Sequence, residues 1–242
     1  MTVYLREVTL LKEKMPSFEQ YPFSLPLVRK MSKLRFGRPV TFFVGENGSG
    51  KSTLLEAIAY QCGFNPAGGG RNNVYEVDRA ESALGDYIRL SWNPKVANGF
   101  FLRAESFYSF ASHIDEVAAT PSYGGVSLHG QSHGESFLSL FKYRFGSRGI
   151  YLLDEPEAAL SPARQLALMR IIRDLSGRAQ FVIATHSPIL MGYPDADILN
   201  FDGDQMETVR YEDTDHYQIT RRFLENRSSV LRTLFEDEDD TV

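Results

Sequence analysis

Residues 45–53 read Gly-Glu-Asn-Gly-Ser-Gly-Lys-Ser-Thr, and no other stretch narrows the possible folds of this chain as much. The segment fits the pattern G-x-x-x-x-G-K-[ST] and follows directly on a short strand-like run, Val40–Val44. That pattern has its meaning only between a strand and a helix, and both signals are present. The glycines let the backbone curl until successive N–H groups face one anion. A helix starting within residues 48–53 and running to about residue 60 adds the positive end of its dipole. Lys51 is placed to reach the outer phosphates of a nucleotide, and the Ser52 hydroxyl to ligate Mg²⁺. The candidate nucleotide-binding residues are therefore Asn47, Gly48, Ser49, Gly50, Lys51, Ser52 and Thr53.

Two further runs, residues 150–153 and 181–184, are apolar without alternation. Together with Val40–Val44 they predict strands buried on both faces, the interior of a mainly parallel sheet. The first of these runs ends in Asp154-Glu155, a carboxylate pair at the end of the strand where sheet ligands gather. Asp154 is the candidate second Mg²⁺ ligand, and Glu155 the candidate base that accepts a proton from, or orients, an attacking water. The other ends in Ala184-Thr185-His186-Ser187-Pro188, which puts His186 on the same sheet edge, a candidate contact to the γ-phosphate.

A helix is predicted to begin at Ser161 with Pro162 in its first position, to carry Leu168, Ile171, Ile172 and Leu175 inward, and to end at Gly177. Residues 198–211 predict a hairpin turning at Asp202-Gly203-Asp204. Strand character at residues 87–92 and 99–105 predicts a smaller, partly antiparallel sheet, residues 63–73 a glycine-rich loop, and residues 217–234 one closing helix.

The rest of the composition excludes classes rather than selecting one. Hydrophobic residues make up 43% and charged residues 24% of the 242, which excludes a disordered or fibrous chain. No apolar run approaches the roughly 18–20 residues that cross a bilayer, so no direct membrane insertion is expected. The stretch at residues 1–14 mixes charge and hydrophobe, unlike a secretory signal, and Cys62 is alone, so a cytoplasmic location is expected. Residues 236–240 are all acidic, and without them the chain has 26 acids against 26 Lys and Arg. The exception to that balance is local. Arg29, Lys30, Lys33, Arg35 and Arg38 cluster with no acid between Tyr21 and Gly45, which admits nucleic acid as a partner beside a plain solvated face.

The order of these segments resembles the ATP-binding-cassette ATPases. The phosphate loop is followed by Ser132-His133-Gly134-Glu135-Ser136, then Asp154-Glu155-Pro156, Ala159-Leu160-Ser161 and His186, with Ser132 and His186 lying 22 and 32 residues from Asp154. Asp-Glu-Pro-Glu-Ala-Ala-Leu-Ser-Pro and Ala-Thr-His-Ser-Pro are similar to the soluble branch: chromosome-maintenance, recombination-repair and phage-defence ATPases, and small standalone bacterial ATPases. The resemblance implies an α/β P-loop NTPase core with a mainly parallel sheet, a small antiparallel β-lobe and a short helical signature lobe. It implies one domain over 1–234, with the β-lobe drawn from about 1–39 and 73–105, the helical lobe from about 106–148, and an acidic tail at 235–242.

It also implies Mg²⁺-dependent ATP hydrolysis in a head-to-tail homodimer, each ATP on one subunit's phosphate loop being capped by Ser132 and Gly134 of the other, and a conformational switch acting on a further protein partner. The chain departs from the family at His133, where a glycine is usual, and at Glu135, where a glutamine is usual. The usual metal-side glutamine is also missing; Glu105 is the candidate substitute and Ser106 the second. Tyr21 and Phe23 lie where the family places an adenine-stacking aromatic. Two other readings stay open: the ATPase subunit of a membrane transporter, and a nucleotide-gated binding module without turnover.

Overall fold

The computed structural model describes residues 2–65, 83–104, 148–203 and 206–236. In chain order the described elements are β1 (Leu5–Leu10), α1 (Pro26–Lys30), β2 (Lys33–Arg35), β3 (Val40–Val44), α2 (Lys51–Cys62), β4 (Ile88–Trp92), β5 (Gly99–Arg103) and β6 (Gly149–Asp154). They continue with α3 (Pro162–Leu175), β7 (Ala179–Ala184), α4 (Pro188–Met191), β8 (Asp197–Asn200), β9 (Glu207–Thr208), α5 (Asp215–Glu225) and α6 (Arg227–Glu236). The helical lobe expected at 106–148 lies almost wholly outside these residues, as do Ser132, His133, Gly134, Glu105 and Ser106.

The main sheet has six strands in the order β5-β6-β7-β3-β8-β9, parallel except for β9. Every residue of β3, β6 and β7 is buried, as their unbroken apolar runs predict. Successive side chains still point to opposite faces. Val40, Phe42 and Val44 meet Leu168 and Ile172 of α3 on one side, while Phe43 meets Leu54, Leu55 and Ile58 of α2 on the other. Leu54, Leu55 and Ile58 are each fully buried, a transfer worth about 1.5–3 kcal/mol per side chain. α2 is buried almost all round because the main sheet lies on one side and the second sheet on the other.

That second sheet is antiparallel, ordered β2-β1-β4. β4 lies where sequence reasoning put it, but β5 does not: it pairs in parallel with β6, from Gly99 opposite Ile150 to Arg103 opposite Asp154. Phe100, Phe101 and Leu102 are all buried, so the strand is covered on both faces, which a half-exposed lobe strand is not. The predicted closing helix is likewise two helices. At Asn226 the backbone leaves helical geometry (φ −135°, ψ 41°), and its carbonyl accepts from Ser229 and Val230 N–H to start α6. Asn and Ser are poor helix-interior residues because they compete for backbone hydrogen bonds. α3 stops at Leu175, two residues before the expected glycine, with Ser176 as its cap. The hairpin of β8 and β9 forms as expected, with a second strand of only two residues.

One buried side chain fastens the two sheets together. Gln180 of β7 is fully buried, its Oε1 accepts from Tyr4 N–H (2.9 Å) and Leu5 N–H (2.8 Å), and its Nε2 donates to the Leu5 carbonyl (3.0 Å). Gln180→Ala strips three buried backbone groups of their partner, each worth about 1–3 kcal/mol when left unsatisfied. Urea unfolding should therefore show a loss of at least about 3 kcal/mol.

Candidate functional site

β6, β7 and β3 are neighbours, so their carboxyl ends open on one cleft. In that register Ala184 of β7 lies opposite both Phe43 of β3 and Asp154 of β6. The Glu155 N–H donates to the Ala184 carbonyl (2.9 Å), and the Thr185 N–H to the Phe43 carbonyl (3.1 Å). The phosphate loop, the Asp154-Glu155 pair and His186 thus leave the sheet side by side, at the position where parallel sheets bind ligands.

The loop between β3 and α2 turns through left-handed backbone at Gly45 (φ 141°) and Gly50 (φ 99°), where a side chain is strained. A Cβ at Gly45 would also come within 2.7 Å of Asp202 Oδ1. α2 begins at Lys51 with no acid in its first turn and no side-chain cap, which leaves its positive end facing the loop. Lys51 is buried, and its Nζ donates to the carbonyls of Gly45 (2.6 Å) and Glu46 (2.8 Å) and more loosely to Ser49 Oγ (3.4 Å). Burial lowers the Lys51 pKa, against the pull of Asp202, Glu155, Asp154 and Glu46.

Ser52 Oγ donates to Asp154 Oδ1 at 2.9 Å. Burial pushes the Asp154 carboxyl up to about 6, opposed by the Ser52 hydrogen bond and by Arg103. A hydroxyl and a desolvated carboxylate side by side are hard oxygen donors that suit Mg²⁺. Among the described residues no group of three or more His, Cys, Asp and Glu could hold a metal. The pair therefore fits a cation that takes one or two protein oxygens and fills its shell with phosphate and water.

Glu155 sits in the left-handed region (φ 48°, ψ 50°), rare for a non-glycine residue and characteristic of functional turns. Its carboxylate is half exposed, with Oε1 3.8 Å from His186 Nε2. That nitrogen is buried and has no hydrogen-bond partner among the described residues. Burial lowers the His186 pKa, helped by Lys51 and His216 and opposed by Glu155 and Glu46. A 410 Å³ cleft is lined by Ser52, Arg103, Ala104, Asp154, Glu155 and Ala158. A smaller 160 Å³ pocket over the loop shares Ser52 and Glu155 with it.

Several residues at this edge had no assigned role in the sequence. Arg103 ends β5 and bridges Glu56 Oε1 (Nη1, 3.0 Å) and Asp154 Oδ2 (Nε, 3.6 Å); a cation closing an apolar run beside Asp154 was its available signal. Asp202, in the hairpin turn, accepts from the Glu46 N–H (2.6 Å) and so steadies the phosphate loop. Glu157 accepts from Thr185 Oγ1 (2.7 Å) and from the His186 N–H (2.6 Å), clamping the segment that carries the histidine. Burial raises its pKa, opposed by those two hydrogen bonds. His216 Nε2 lies 2.9 Å from His186 Nδ1, although the two are thirty residues apart and nothing in their spacing indicates it.

Of the two candidate aromatics, Phe23 is buried edge-to-face on Tyr87 (5.0 Å). Tyr21 is 63% exposed, lines the loop pocket, and its hydroxyl is 3.1 Å from Thr53 Oγ1. The basic cluster is partnered by distant groups: Lys33 and Arg35 by Glu7, Arg38 by Asp195 and Asp197, Arg29 by the Phe18 carbonyl and Lys30 by the Gly203 carbonyl. Lys33 and Arg35 hold Glu7 down at about 2. Among the described residues three carboxylates face the five cations, since the carbonyls that accept from Arg29 and Lys30 carry no net charge.

Two family models match parts of the chain: "AAA domain" over residues 21–102 and "AAA domain, putative AbiEii toxin, Type IV TA system" over residues 131–192. No curated protein sequence matches it. Among solved structures, the chain is similar to "An inward-facing conformation of a putative metal-chelate type ABC transporter", at 16% identity and TM-score 0.51, over 90% of this chain and 88% of that one. Other matches include the SMC head domain from Thermotoga maritima (17% identity, TM-score 0.47, 86% and 99% covered). A further one is the ABC transporter component cbiO1 from Clostridium perfringens (16%, 0.49, 97% and 100%). The chain has the fold of a P-loop ATPase of the ABC/AAA-like type.

Glu157→Ala removes the acceptor for the Thr185 hydroxyl and the His186 N–H. Thermal unfolding should show a loss of about 2–4 kcal/mol.

Proposed function

We propose that this chain is a Mg²⁺-dependent ATP hydrolase that works as a nucleotide-sandwich homodimer and drives a conformational switch on a partner protein. The observation that carries the reading is that the phosphate loop, the Asp154-Glu155 pair and the His186 segment leave three adjacent parallel strands side by side, with Ser52, Asp154 and Glu155 lining one cleft and Lys51 and Ser52 the pocket beside it.

In this reading the positive end of α2 and the loop N–H groups hold the β- and γ-phosphates. Lys51 exchanges its loop carbonyls for phosphate oxygens, a change from neutral to charged acceptors. Ser52 and Asp154 hold Mg²⁺, which when bound neutralises charge on the phosphate oxygens. Glu155 orients the attacking water and takes its proton as the bond from the γ-phosphorus to its bridging oxygen breaks and ADP leaves. His186 Nε2, buried and without a hydrogen-bond partner among the described residues, offers a donor where charge gathers on the transferred phosphoryl group. Exposed Tyr21 covers the base side of the loop pocket. Glu105 completes the metal side, and Ser132 and Gly134 cap the nucleotide from the second subunit.

Glu155→Gln should keep ATP bound and lose turnover by at least about a hundredfold. Its solution mass should double only with both ATP and Mg²⁺, and removal of Mg²⁺ by chelation should return it to one subunit. Lys51→Ala should instead weaken nucleotide binding itself. A Glu155→Gln variant that turns over at the wild-type rate would remove the assignment of the base, and one that never dimerises would remove the sandwich.

A further inference from the structure

Two imidazoles meet behind the cleft, and the hydrogen between them is not free to sit on either. His186 Nδ1 and His216 Nε2 are 2.9 Å apart, with ring centroids 5.1 Å apart and planes inclined at 54°. His216 stands in the first turn of α5, which is fixed against the chain just beyond His186. Thr214 Oγ1 accepts from the Tyr217 N–H (3.3 Å), Tyr211 and Tyr217 pack at 4.6 Å, and the Tyr211 hydroxyl donates to the Pro188 carbonyl (2.9 Å).

One hydrogen lies between the two nitrogens, and its owner decides what His186 shows to the cleft. If His186 Nδ1 carried it, Nε2 would present a lone pair to the Glu155 carboxylate 3.8 Å away and to any phosphate entering the site, acceptor against acceptor. If His216 Nε2 carries it, His186 Nδ1 accepts and Nε2 turns an N–H into the cleft. The second arrangement is favoured by the Glu155 carboxylate beside that nitrogen and by Glu46, against the charge of Lys51. It also holds whichever charge state His216 adopts, since both the imidazolium and the Nε2–H tautomer donate from that atom. This is the logic by which an outer partner fixes the tautomer of a working histidine.

We infer that His216 is a positioning residue that holds His186 in the tautomer with hydrogen on Nε2, aimed at the phosphate side of the cleft. The identity of the phosphate acceptor rests on the ATPase reading; the tautomer itself does not.

The test combines imidazole ¹⁵N spectra of the nucleotide-free protein with steady-state ATP hydrolysis. In the wild type, His186 should show a protonated Nε2 and a bare Nδ1, and His216→Leu should turn this into a tautomer mixture. The same variant should lower kcat about tenfold, with KM for ATP changed by less than about twofold. His216→Gln, whose terminal N–H falls near the place of Nε2, should restore most of the rate. In a His186→Ala background, His216→Leu should cost nothing more.

A wild-type His186 protonated on Nδ1 overturns the inference. So does a His216→Gln as slow as His216→Leu, or a full additional loss in the His186→Ala background. A wild-type protein that hydrolyses no ATP overturns the functional reading instead, and the spectra alone then decide the tautomer.

Discussion

The parallel register of β6, β7 and β3 is the constraint on which the rest of the site depends. Ala184 faces Asp154 on one side and Phe43 on the other, and the two hydrogen bonds that follow, Glu155 N–H to Ala184 and Thr185 N–H to Phe43, carry that alignment past the ends of the strands. A shift of one residue in any of the three would turn every side chain of that strand to the opposite layer. The apolar cores on both faces therefore hold the chemistry in place. Phe42 and Phe43 or Leu152 and Leu153 cannot exchange layers without opening both cores, so Lys51, Asp154 and His186 cannot drift apart.

The parts of this design that depend on local pattern were legible in the sequence. The phosphate loop, the three buried strands and the turn at Asp202-Gly203 are written in a few consecutive residues. β5 was legible as a strand but was assigned to the wrong sheet, although its unbroken Phe-Phe-Leu run differs from the half-exposed pattern of Ile88-Arg89-Leu90 in the way double burial predicts. What was not legible is pairing across distance. Glu7, Asp195 and Asp197 pair with Lys33, Arg35 and Arg38 of the basic cluster from as far as 159 residues away, and only the folded chain brings them there. His216 looked like a scattered histidine because its partner, His186, is set by where α5 packs rather than by any spacing. The two-helix end at Asn226 is a local contest that the apolar pattern alone decides the other way.

α5 joins an exposed surface to the candidate site. None of its residues is buried, and Ile219 and Leu224 are 67% and 74% exposed, yet its first turn reaches the histidine that faces the phosphate side. Two clefts, of 580 and 570 Å³, lie along this helix. Beyond its first turn the helix buries little apolar surface, and that first turn meets His186 through one directional hydrogen bond rather than a broad apolar contact. In the ATPase reading, coupling between His186 and the surface of α5 would have a short route: His186, His216, Tyr217 and Tyr211.

The balance of charge in the cleft explains why a cation belongs to the binding step and not only to the reaction. Lys51 is drawn on by four carboxylates, Asp202, Glu155, Asp154 and Glu46, and Arg103 is already divided between Asp154 and Glu56. A bare triphosphate entering this edge would meet more negative charge than positive, at distances where partial burial leaves little screening. The favourable dipole at the start of α2 is worth at most about 2 kcal/mol per anion in a partly buried setting, too little to offset several carboxylates at once. A divalent ion shared between the Ser52–Asp154 pair and the phosphates reverses that balance. It would also favour the charged form of Asp154, whose carboxyl burial pushes up to about 6. Nucleotide and metal are therefore expected to enter as one unit, with the buried carboxylate as the element that makes the site selective for the pair over either alone.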